Sequence, residues 1–342
     1  MQIALIDTVL PLIGIEFNIL LLIGIGFAVG VLAAFFGFGG GWIVTPTLHI
    51  LGFPIPFAIG TTLANITAQN GMAVTKHNKM GTVEPVLGAV IGVSMAMGME
   101  VGAQGGMYLE STGMAGNTIR WLYVLFLGGL GVWMQYDYWS SRSKVGQNKG
   151  EPDMNVAGGR TQESGSRESW HELPPFVTLK TSGGQISLWK LLLVGLVIGC
   201  LAGIMGCGGG FLLVPAFIYV IGIPTVVAVG TSLVSILLAG AYGTFTYALK
   251  GRVELIAALW MVLGAAVGVQ IGGSAVRYVK GYSLRFLYCL MLLAAAASVL
   301  LKQLGNGELA SIIMLGAVGT LCVIIISRMA KTIYAKKTGQ KA

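Results

Sequence analysis

Two glycine-rich decapeptides hold the residues of this sequence whose types and spacing could do chemistry. GFGGGWIVTP occupies positions 37–46, and GCGGGFLLVP occupies positions 206–215. Three consecutive glycines let the backbone turn sharply and leave its N–H groups uncovered. Both decapeptides lie in apolar sequence, where such N–H groups have no water to bond and need another acceptor. Uncovered backbone donors are typical of sites for small anions.

A short apolar segment follows each glycine run, at 42–52 and 211–222, and neither is long enough to cross a bilayer as a helix. If Trp42 and Phe211 begin short helices, two helix N-termini turn their positive dipole ends and free N–H groups toward the protein interior. The sequence therefore predicts a binding site for a small anionic substrate, formed by Gly39, Gly40, Gly41, Gly208, Gly209 and Gly210. The alternative is that these glycines only let helices pack closely.

Hydroxyl and amide side chains in the segment after each short helix could complete this site. They offer donors to an oxyanion without holding it as tightly as an arginine would. Thr62 and Asn65 are three residues apart, as are Ser232 and Ser235, so each pair shares a helical face. The candidates are Thr61, Thr62, Asn65, Thr231, Ser232 and Ser235, and Thr67, Gln69 and Asn70 follow on the first of these segments. The alternative for each is a hydrogen bond to another helix or to a carbonyl of its own helix.

Glu100 is a charged residue deep inside a predicted span. It lies about 24 Å along the helix that begins at Glu84, at a rise of about 1.5 Å per residue. A carboxylate within the membrane is a functional candidate, and we assign it a possible role in proton coupling. The sequence contains two similar copies of one unit, as described below, and the residue of the second copy that corresponds to Glu100 is the neutral Gln270. A role in proton coupling would therefore belong to one half. Glu84 and Glu254 begin helices and are interpreted as caps.

The decapeptides belong to two copies of a longer unit of about 115 residues, far longer than the repeats of solenoid proteins. Pro54 matches Pro224 and Arg120 matches Arg285, and the second copy gains one residue just after its decapeptide. Duplicated halves with broken helices are typical of membrane transporters. Glycines spaced by four predict close-packed helix faces, at Gly98, Gly102 and Gly106 and at Gly264, Gly268 and Gly272.

The composition predicts an all-α polytopic membrane protein, because 55% of the residues are hydrophobic and only 10% are charged. Lipid leaves the backbone no hydrogen-bond partner outside a helix, so the apolar segments are predicted as helices. Segments near the required length of about 20 residues are 17–36, 84–109, 118–136, 188–205, 254–276, 284–301 and 308–327. Residues 57–79 and 226–249 are more polar and are predicted to be spans that face the bundle interior.

The predicted organisation is a first transmembrane repeat at 1–138, a hydrophilic linker at 139–187, a second repeat at 188–305, and an extra transmembrane helix with a basic tail at 306–342. The linker has too few apolar residues to fold around a core and is predicted to be disordered. Basic residues in the linker and the tail place both in the cytoplasm. Five segments per copy then invert the second copy, with the 76–79 loop inside and the 250–252 loop outside.

Other chemistries find little support in the sequence. Cys200, Cys207, Cys289 and Cys322 show no C-x-x-C spacing and no nearby histidine, so we expect neither a metal site nor a cofactor. The net charge of +8 is explained by cytoplasmic loops and the tail, so nucleic acid is not an expected partner. An intramembrane enzyme is the less favoured alternative, because paired carboxylates and an activated nucleophile are missing from the pattern.

The paired G-x-G-G-G-x-x-x-x-P motifs, each followed by a short segment and then by A-x-G-T-[ST]-L, resemble the TauE/SafE family of sulfite exporters. The resemblance covers both copies, at 19–138 and 188–305. It implies a multi-pass transporter in the bacterial inner membrane that exports sulfite or a related sulfonate, with the lipid bilayer and a small anion as its partners. A gated anion channel is the closest alternative. The long linker and the segment 308–327 depart from the two-copy pattern.

Overall fold

The computed structural model describes residues 7–145, 174–178, 185–276 and 281–337, and these are almost entirely helical. The first half contains α1 (Ile19–Phe36), α2 (Gly41–Ile50), α3 (Ile55–Lys79), α4 (Pro85–Ser111) and α5 (Ala115–Val145). The second half contains α6 (Leu188–Met205), α7 (Gly210–Pro215), α8 (Thr225–Leu249), α9 (Leu255–Ala275) and α10 (Gly281–Gln303), followed by α11 (Gly307–Lys337). The predicted all-α class is confirmed.

Seven helices in the described ranges are long and apolar enough to cross a membrane, namely α1, α4, α6, α8, α9, α10 and α11. The protein is therefore a multi-pass membrane protein. Helix α3 is also 25 residues long but more polar. Its polar residues Thr62, Asn65 and Gln69 are fully buried, which agrees with the prediction of an interior-facing span.

A short pair of antiparallel strands precedes the first helix of each half. Strands β1 (Asp7–Leu10) and β2 (Ile15–Asn18) pair so that Asp7 lies opposite Asn18, and β3 (Phe176–Thr178) pairs with β4 (Gln185–Ser187). The side chain of Asn18 accepts hydrogen bonds from the N–H groups of Leu20 and Leu21 and so caps α1. The sequence analysis did not predict these strands.

A π-helical turn, Ala216–Ile221, continues α7 directly after Pro215. A π turn holds more residues per hydrogen-bonded ring than an α turn does, so a one-residue insertion fits into it without shifting the flanking segments. This is the place where the alignment of the two predicted copies needs one extra residue. The segment ends at Gly222, where the backbone dihedral φ is positive, two residues before Pro224.

Glycine faces join α1 to α9 and α4 to α6. A methyl group added at Gly264 would lie 2.0 Å from the carbonyl oxygen of Ile23, and one at Gly272 would lie 2.0 Å from that of Val31. The residue numbers of the contacts increase together in both helices, so α1 and α9 run in the same direction. At Gly98 and Gly102 the same approach is made to the backbone of α6. The predicted close-packing faces are confirmed.

Helices α3 and α8 cross in opposite directions. A methyl group on Gly60 would lie 3.2 Å from Tyr247 Cβ, and one on Gly71 would lie 3.9 Å from Leu237 Cδ1, so later residues of α3 meet earlier residues of α8. The two helices hold corresponding places in the predicted copies, and an inverted repeat requires such equivalents to run antiparallel. The contacts agree with the inverted arrangement, which stays a prediction because no bilayer fixes the two sides.

The predicted linker at 139–187 lies mostly outside the described residues. Helix α5 continues to Val145, beyond the predicted end of the first repeat at 138. At the other end of the chain, α11 includes most of the segment predicted as a basic tail and reaches Lys337.

Candidate functional site

Both glycine motifs break the chain between two helices, in the same way. Helix α1 ends where the N–H of Gly37 donates to the Ala33 carbonyl at 2.8 Å. The backbone dihedral φ is positive at Gly37, Gly39 and Gly40 (78°, 72° and 80°) and at Gly206, Gly208 and Gly209 (67°, 69° and 71°). A side chain would strain the backbone at each of these positions. The short helices α2 and α7 then begin at Gly41 and Gly210, one residue before the predicted starts.

The two breaks, defined as residues 37–41 and 206–210, touch each other. A methyl group on Gly41 would lie 2.5 Å from the carbonyl oxygen of Cys207, and one on Gly210 would lie 2.1 Å from that of Phe38. Ile66 and Ile236 flank the contact, since both approach Gly39 and Gly208. The structure thus brings the six predicted glycines into one place, although they are far apart in sequence.

Several backbone N–H groups at the breaks have no backbone acceptor. In α2 the first N–H groups with a backbone acceptor are those of Ile43 and Val44, which both donate to the Gly40 carbonyl at 3.1 Å. In α7 they are those of Leu212 and Leu213, which donate to Gly209 at 3.0 Å. Among the described residues, no backbone carbonyl accepts from the N–H groups of 38–42 or 207–211. The donors that an anion site needs are available on both sides of the contact.

Helix α3 places the buried amides of Gln69 and Asn70 beside the first break and carries further buried polar groups. The side chain of Gln69 donates through Nε2 to the Gly39 carbonyl, and Asn70 Nδ2 would lie 2.9 Å from a methyl group on Gly39. Thr62 Oγ1, Gln69 Oε1 and both amide atoms of Asn65 and Asn70 are buried without a hydrogen-bond partner in the described part of the chain. Each such atom costs about 1–3 kcal/mol unless something bonds to it.

The other predicted hydroxyls bond to the backbone. Thr61 Oγ1 accepts from the N–H of Glu254, and Thr231 Oγ1 accepts from the N–H of Glu84, both at 3.0 Å. These two bonds tie each half to the start of α9 or α4 in the other half. Thr61 and Thr231 therefore hold helices together in the structure, and their roles as substrate ligands stay predictions.

The serines of α8 are also engaged. Ser232 Oγ lies within hydrogen-bond reach of the Gly37 and Val229 carbonyls, and Ser235 Oγ donates to Gly88 at 2.8 Å. In the register of the two copies, Gln69 and Asn70 correspond to Ala239 and Gly240. The unpartnered amides beside the breaks therefore come from α3 alone. Gln69 and Asn70 were not among the six main candidates of the sequence analysis, which mentioned them only as further polar residues of the same segment.

Glu84 and Glu254 stand at the N-cap positions of α4 and α9, as predicted, but their carboxylates make no capping hydrogen bond there. The carboxylate of Glu254 instead accepts from the N–H of Leu12 at 3.0 Å. The capping interpretation is thus wrong for the side chains. The backbone N–H groups of Glu84 and Glu254 donate to Thr231 and Thr61 of the opposite half. These bonds hold the starts of α4 and α9 in place.

Glu100 lies between α4 and α8, toward the outer surface of the bundle. Its carboxylate accepts from Gln104 at 2.9 Å, from the Tyr242 hydroxyl at 2.9 Å and from Thr246 at 3.3 Å. These partners keep the carboxylate on the surface of the α4–α8 pair, and its described hydrogen bonds do not reach the glycine breaks. Its assignment to proton coupling stays a prediction.

His77 has a packing role. His77 is fully buried, with Nε2 at 2.9 Å from the Ala34 carbonyl and Nδ1 at 3.1 Å from Thr82 Oγ1, so it joins the end of α3 to α1. Within the ranges that the structure covers, no three His, Cys, Asp or Glu side chains lie together as a metal ion would require.

Comparison with known proteins gives a consistent result. The model of the family described as "Sulfite exporter TauE/SafE" matches residues 22–299, a range that contains both glycine breaks. A "Probable membrane transporter protein" of Xylella fastidiosa is 26% identical over 253 residues, which are 72% of this chain and 79% of that protein. The "Probable membrane transporter protein YunE" of Bacillus subtilis is 25% identical over 267 residues, 75% of this chain and 88% of the relative. No solved structure gives a significant match.

Proposed function

The chain belongs to the sulfite exporter TauE/SafE family, and from that premise we propose that this membrane transporter exports a small oxyanion, sulfite or a related sulfonate, across a bacterial inner membrane. The family and the relatives establish a membrane transporter. The oxyanion and the outward direction are our proposal.

One observation carries the proposal: the buried amides of Gln69 and Asn70 lie beside the glycine breaks, where several backbone N–H groups have no backbone acceptor. Buried polar atoms of Thr62 and Asn65 on the same helix also have no partner among the described residues. Thr62 and the amides of Asn65 and Asn70 offer donors, and a bound oxyanion has oxygens enough to accept several of them. Binding would offset the cost of leaving these groups unpartnered inside the protein.

The side chains beside the breaks favour a singly charged anion. The described residues of this site, Thr62, Asn65, Gln69 and Asn70, are all neutral, so they stabilise less negative charge than an arginine cluster does. Amide oxygens such as Gln69 Oε1 also accept a hydrogen bond, which suits a protonated oxyanion such as hydrogen sulfite. A neutral site releases its ligand more readily, as transport requires.

The membrane potential can drive the proposed export. Moving one negative charge outward across an inside-negative membrane yields about 2.3 kcal/mol per 100 mV. A uniport mechanism therefore suffices, and proton coupling through Glu100 would add to it. If coupling exists, Glu100→Gln should remove the dependence of flux on a pH gradient while leaving exchange of substrate at equal pH intact.

Flux in proteoliposomes tests the proposal. We expect saturable, potential-driven movement of sulfite, with competition by sulfonates of similar size and weaker competition by sulfate. Flux that rises linearly with concentration would favour the gated channel, and the absence of flux with sulfite, sulfate, thiosulfate and sulfonates alike would overturn the proposal.

A further inference from the structure

A cavity lies between the carboxyl end of α2 and the ends of α5 and α10. It has a volume of only about 20 Å³, room for one water molecule, and Thr45, His49, Arg120, Tyr123 and Lys302 are the polar residues at its wall. Five apolar or proline side chains complete the wall, namely Pro46, Ile50, Ile55, Ile119 and Val299. Helix α2 is about 15 Å long from Gly41 to Ile50, at about 1.5 Å per residue. The cavity therefore lies beside α2, on the way from the glycine breaks to one end of the bundle.

The inner end of this cavity reaches the second glycine break. Thr45 Oγ1 donates to the Gly206 carbonyl at 2.9 Å, and the Tyr123 hydroxyl donates to the Met205 carbonyl at 2.9 Å. Both side chains also line the cavity. Thr45 and Tyr123 therefore join the wall of the cavity to the backbone at Met205 and Gly206.

The cavity collects positive charge without a counter-ion. Arg120 and Lys302 come from different helices and both line it. In the part of the chain that the structure describes, no ion pair is found for either of them, whereas Arg252 pairs with Glu110 at 3.0 Å. Arg120 Nε and His49 Nε2 are buried without a partner among the described residues. Two partly buried cations side by side are unfavourable unless an anion joins them.

Stabilisation of the α2 carboxyl end would be a purely structural role for these cations. The second half shows what that role looks like, because Lys190 Nζ donates to the Val220 carbonyl at the end of the π turn at 3.2 Å. No described hydrogen bond joins Arg120 or Lys302 to α2. In the register of the two copies, Lys302 corresponds to Asp137, which accepts from Tyr219 at 2.8 Å. The fold therefore does not require a cation at position 302, whereas Arg120 has a counterpart in Arg285.

We propose that Arg120, Lys302 and His49, by moving apart around this small cavity, form a second anion-binding site that receives the transported oxyanion between the glycine breaks and the outer face of the membrane. The inference rests on the proposed function. The predicted cytoplasmic linker after α5 places the amino end of α5, with Arg120, on the outer side. Cations on that side run against the positive-inside rule, and binding of an anion explains their presence.

Binding in detergent tests the site apart from transport. The full chain is purified in a maltoside detergent with Asn65→Leu, which removes a buried amide of α3 that has no described partner, and sulfite binding is measured by calorimetry. We expect Arg120→Gln with Lys302→Gln to weaken the remaining binding at least tenfold. Lys190→Gln, which removes a cation bonded to the backbone at the other end, should leave sulfite affinity unchanged. Equal affinity in all three proteins would overturn the proposal.

Thermal unfolding checks that the double variant is folded. If the double variant does not accumulate, the single variant Lys302→Gln replaces it, and we expect this single variant to bind sulfite about threefold more weakly. A lipid phosphate offers the same chemistry as a free oxyanion. Titration of nanodiscs with phosphatidylglycerol separates the two. Stabilisation by this lipid that depends on Arg120 and Lys302, without any effect of free sulfite or sulfate, would mark a headgroup site and overturn the proposal.

Flux distinguishes this inference from the proposed function. In proteoliposomes the double variant, with Asn65 intact, should lose at least tenfold in sulfite export at low ionic strength and much less at high salt, because screening weakens the attraction that the cations supply. Normal export by the double variant would contradict the second anion-binding site and leave the proposed function standing. No export by the wild type, with sulfite binding that still needs Arg120 and Lys302, would contradict the proposed function alone.

Discussion

Asn65 combines full burial with an amide that has no partner in the described part of the protein. Such a residue costs stability, because its groups are removed from water without compensation. A protein that keeps it gains something else from it. Binding of a ligand that bonds to the amide is the simplest gain, and this separates Asn65 from Thr61, whose hydroxyl already serves the backbone of Glu254.

Substituting Asn65 by leucine should therefore separate binding from stability. Leucine has a similar volume and removes the unpartnered amide, so we expect unchanged or higher thermal stability, with sulfite transport reduced at least tenfold. Thr61→Val is the matched control, because it leaves the N–H of Glu254 without its acceptor and should destabilise the protein by about 1–3 kcal/mol. Unchanged transport by Asn65→Leu would remove α3 from the binding site.

Thr62 and Ser232 hold corresponding positions, yet the structure predicts different outcomes for them. Thr62→Val removes a hydroxyl without a described partner, so it should weaken substrate binding with little change in unfolding temperature. Ser232→Ala removes a contact to the Gly37 carbonyl and should lower the unfolding temperature instead. Ligand titration and thermal unfolding of both variants check this contrast; equal effects of the two on binding would favour a symmetric site.

Glycine substitutions at the breaks are less informative than the sequence suggests. A methyl group on Gly40 would lie 2.3 Å from Val29 Cγ1, and φ there is +80°. Gly40→Ala should therefore disturb folding as well as any ligand contact, and loss of activity in that variant would not locate the site. The α3 amides provide a cleaner test because their replacement keeps the backbone unstrained.

At the scale of elements, close contact between α1 and α9 depends on glycines. A methyl group at Gly268 would lie 2.2 Å from the Phe27 carbonyl oxygen, so Gly268→Ala must push the two helices apart. Overpacking of this kind costs about 1–3 kcal/mol. We expect a lower unfolding temperature in detergent and lower abundance in the membrane.

Gly316 in α11 is the matched control for Gly268, because a methyl group there would meet nothing within 4 Å in the described structure. Gly316→Ala should stabilise the helix by about 0.5–1 kcal/mol through the lost freedom of the unfolded backbone. Similar destabilisation by both substitutions would mean that α1 and α9 do not depend on the glycine face.

At the scale of the whole molecule, the halves interlock rather than stack. The first helix of each half packs in parallel on the fourth helix of the other, while α3 and α8 cross antiparallel between them. Each half therefore lacks a complete core of its own. We infer that the two glycine breaks can meet only when both halves are present.

The inverted arrangement predicts opposite sides for two equivalent loops. Asn78→Cys, in the last turn of α3, should react with a membrane-impermeant maleimide only from the cytoplasmic side. Lys250→Cys, after α8, should react only from outside. The native Cys207, Cys289 and Cys322 are buried and should contribute little background. Labelling of both loops from the same side would contradict the inverted topology.

The sequence by itself determined the local features. Apolar length set the all-α membrane class, the glycine runs set two breaks with short helices after them, and glycines spaced by four marked the packed faces. Each of these follows from residues close together in the chain, where backbone freedom and hydrophobic periodicity act directly.

Only the tertiary structure decided which polar groups are used and which are free. Thr61 and Thr62 are neighbours in sequence, but one hydroxyl accepts from Glu254 of the other half and the other has no described partner. Arg120 and Lys302 share a cavity although they are in different halves. Hydrogen bonds and charge pairs form between whatever groups the packing of distant helices brings within a few ångströms, and no local pattern in the sequence records that distance.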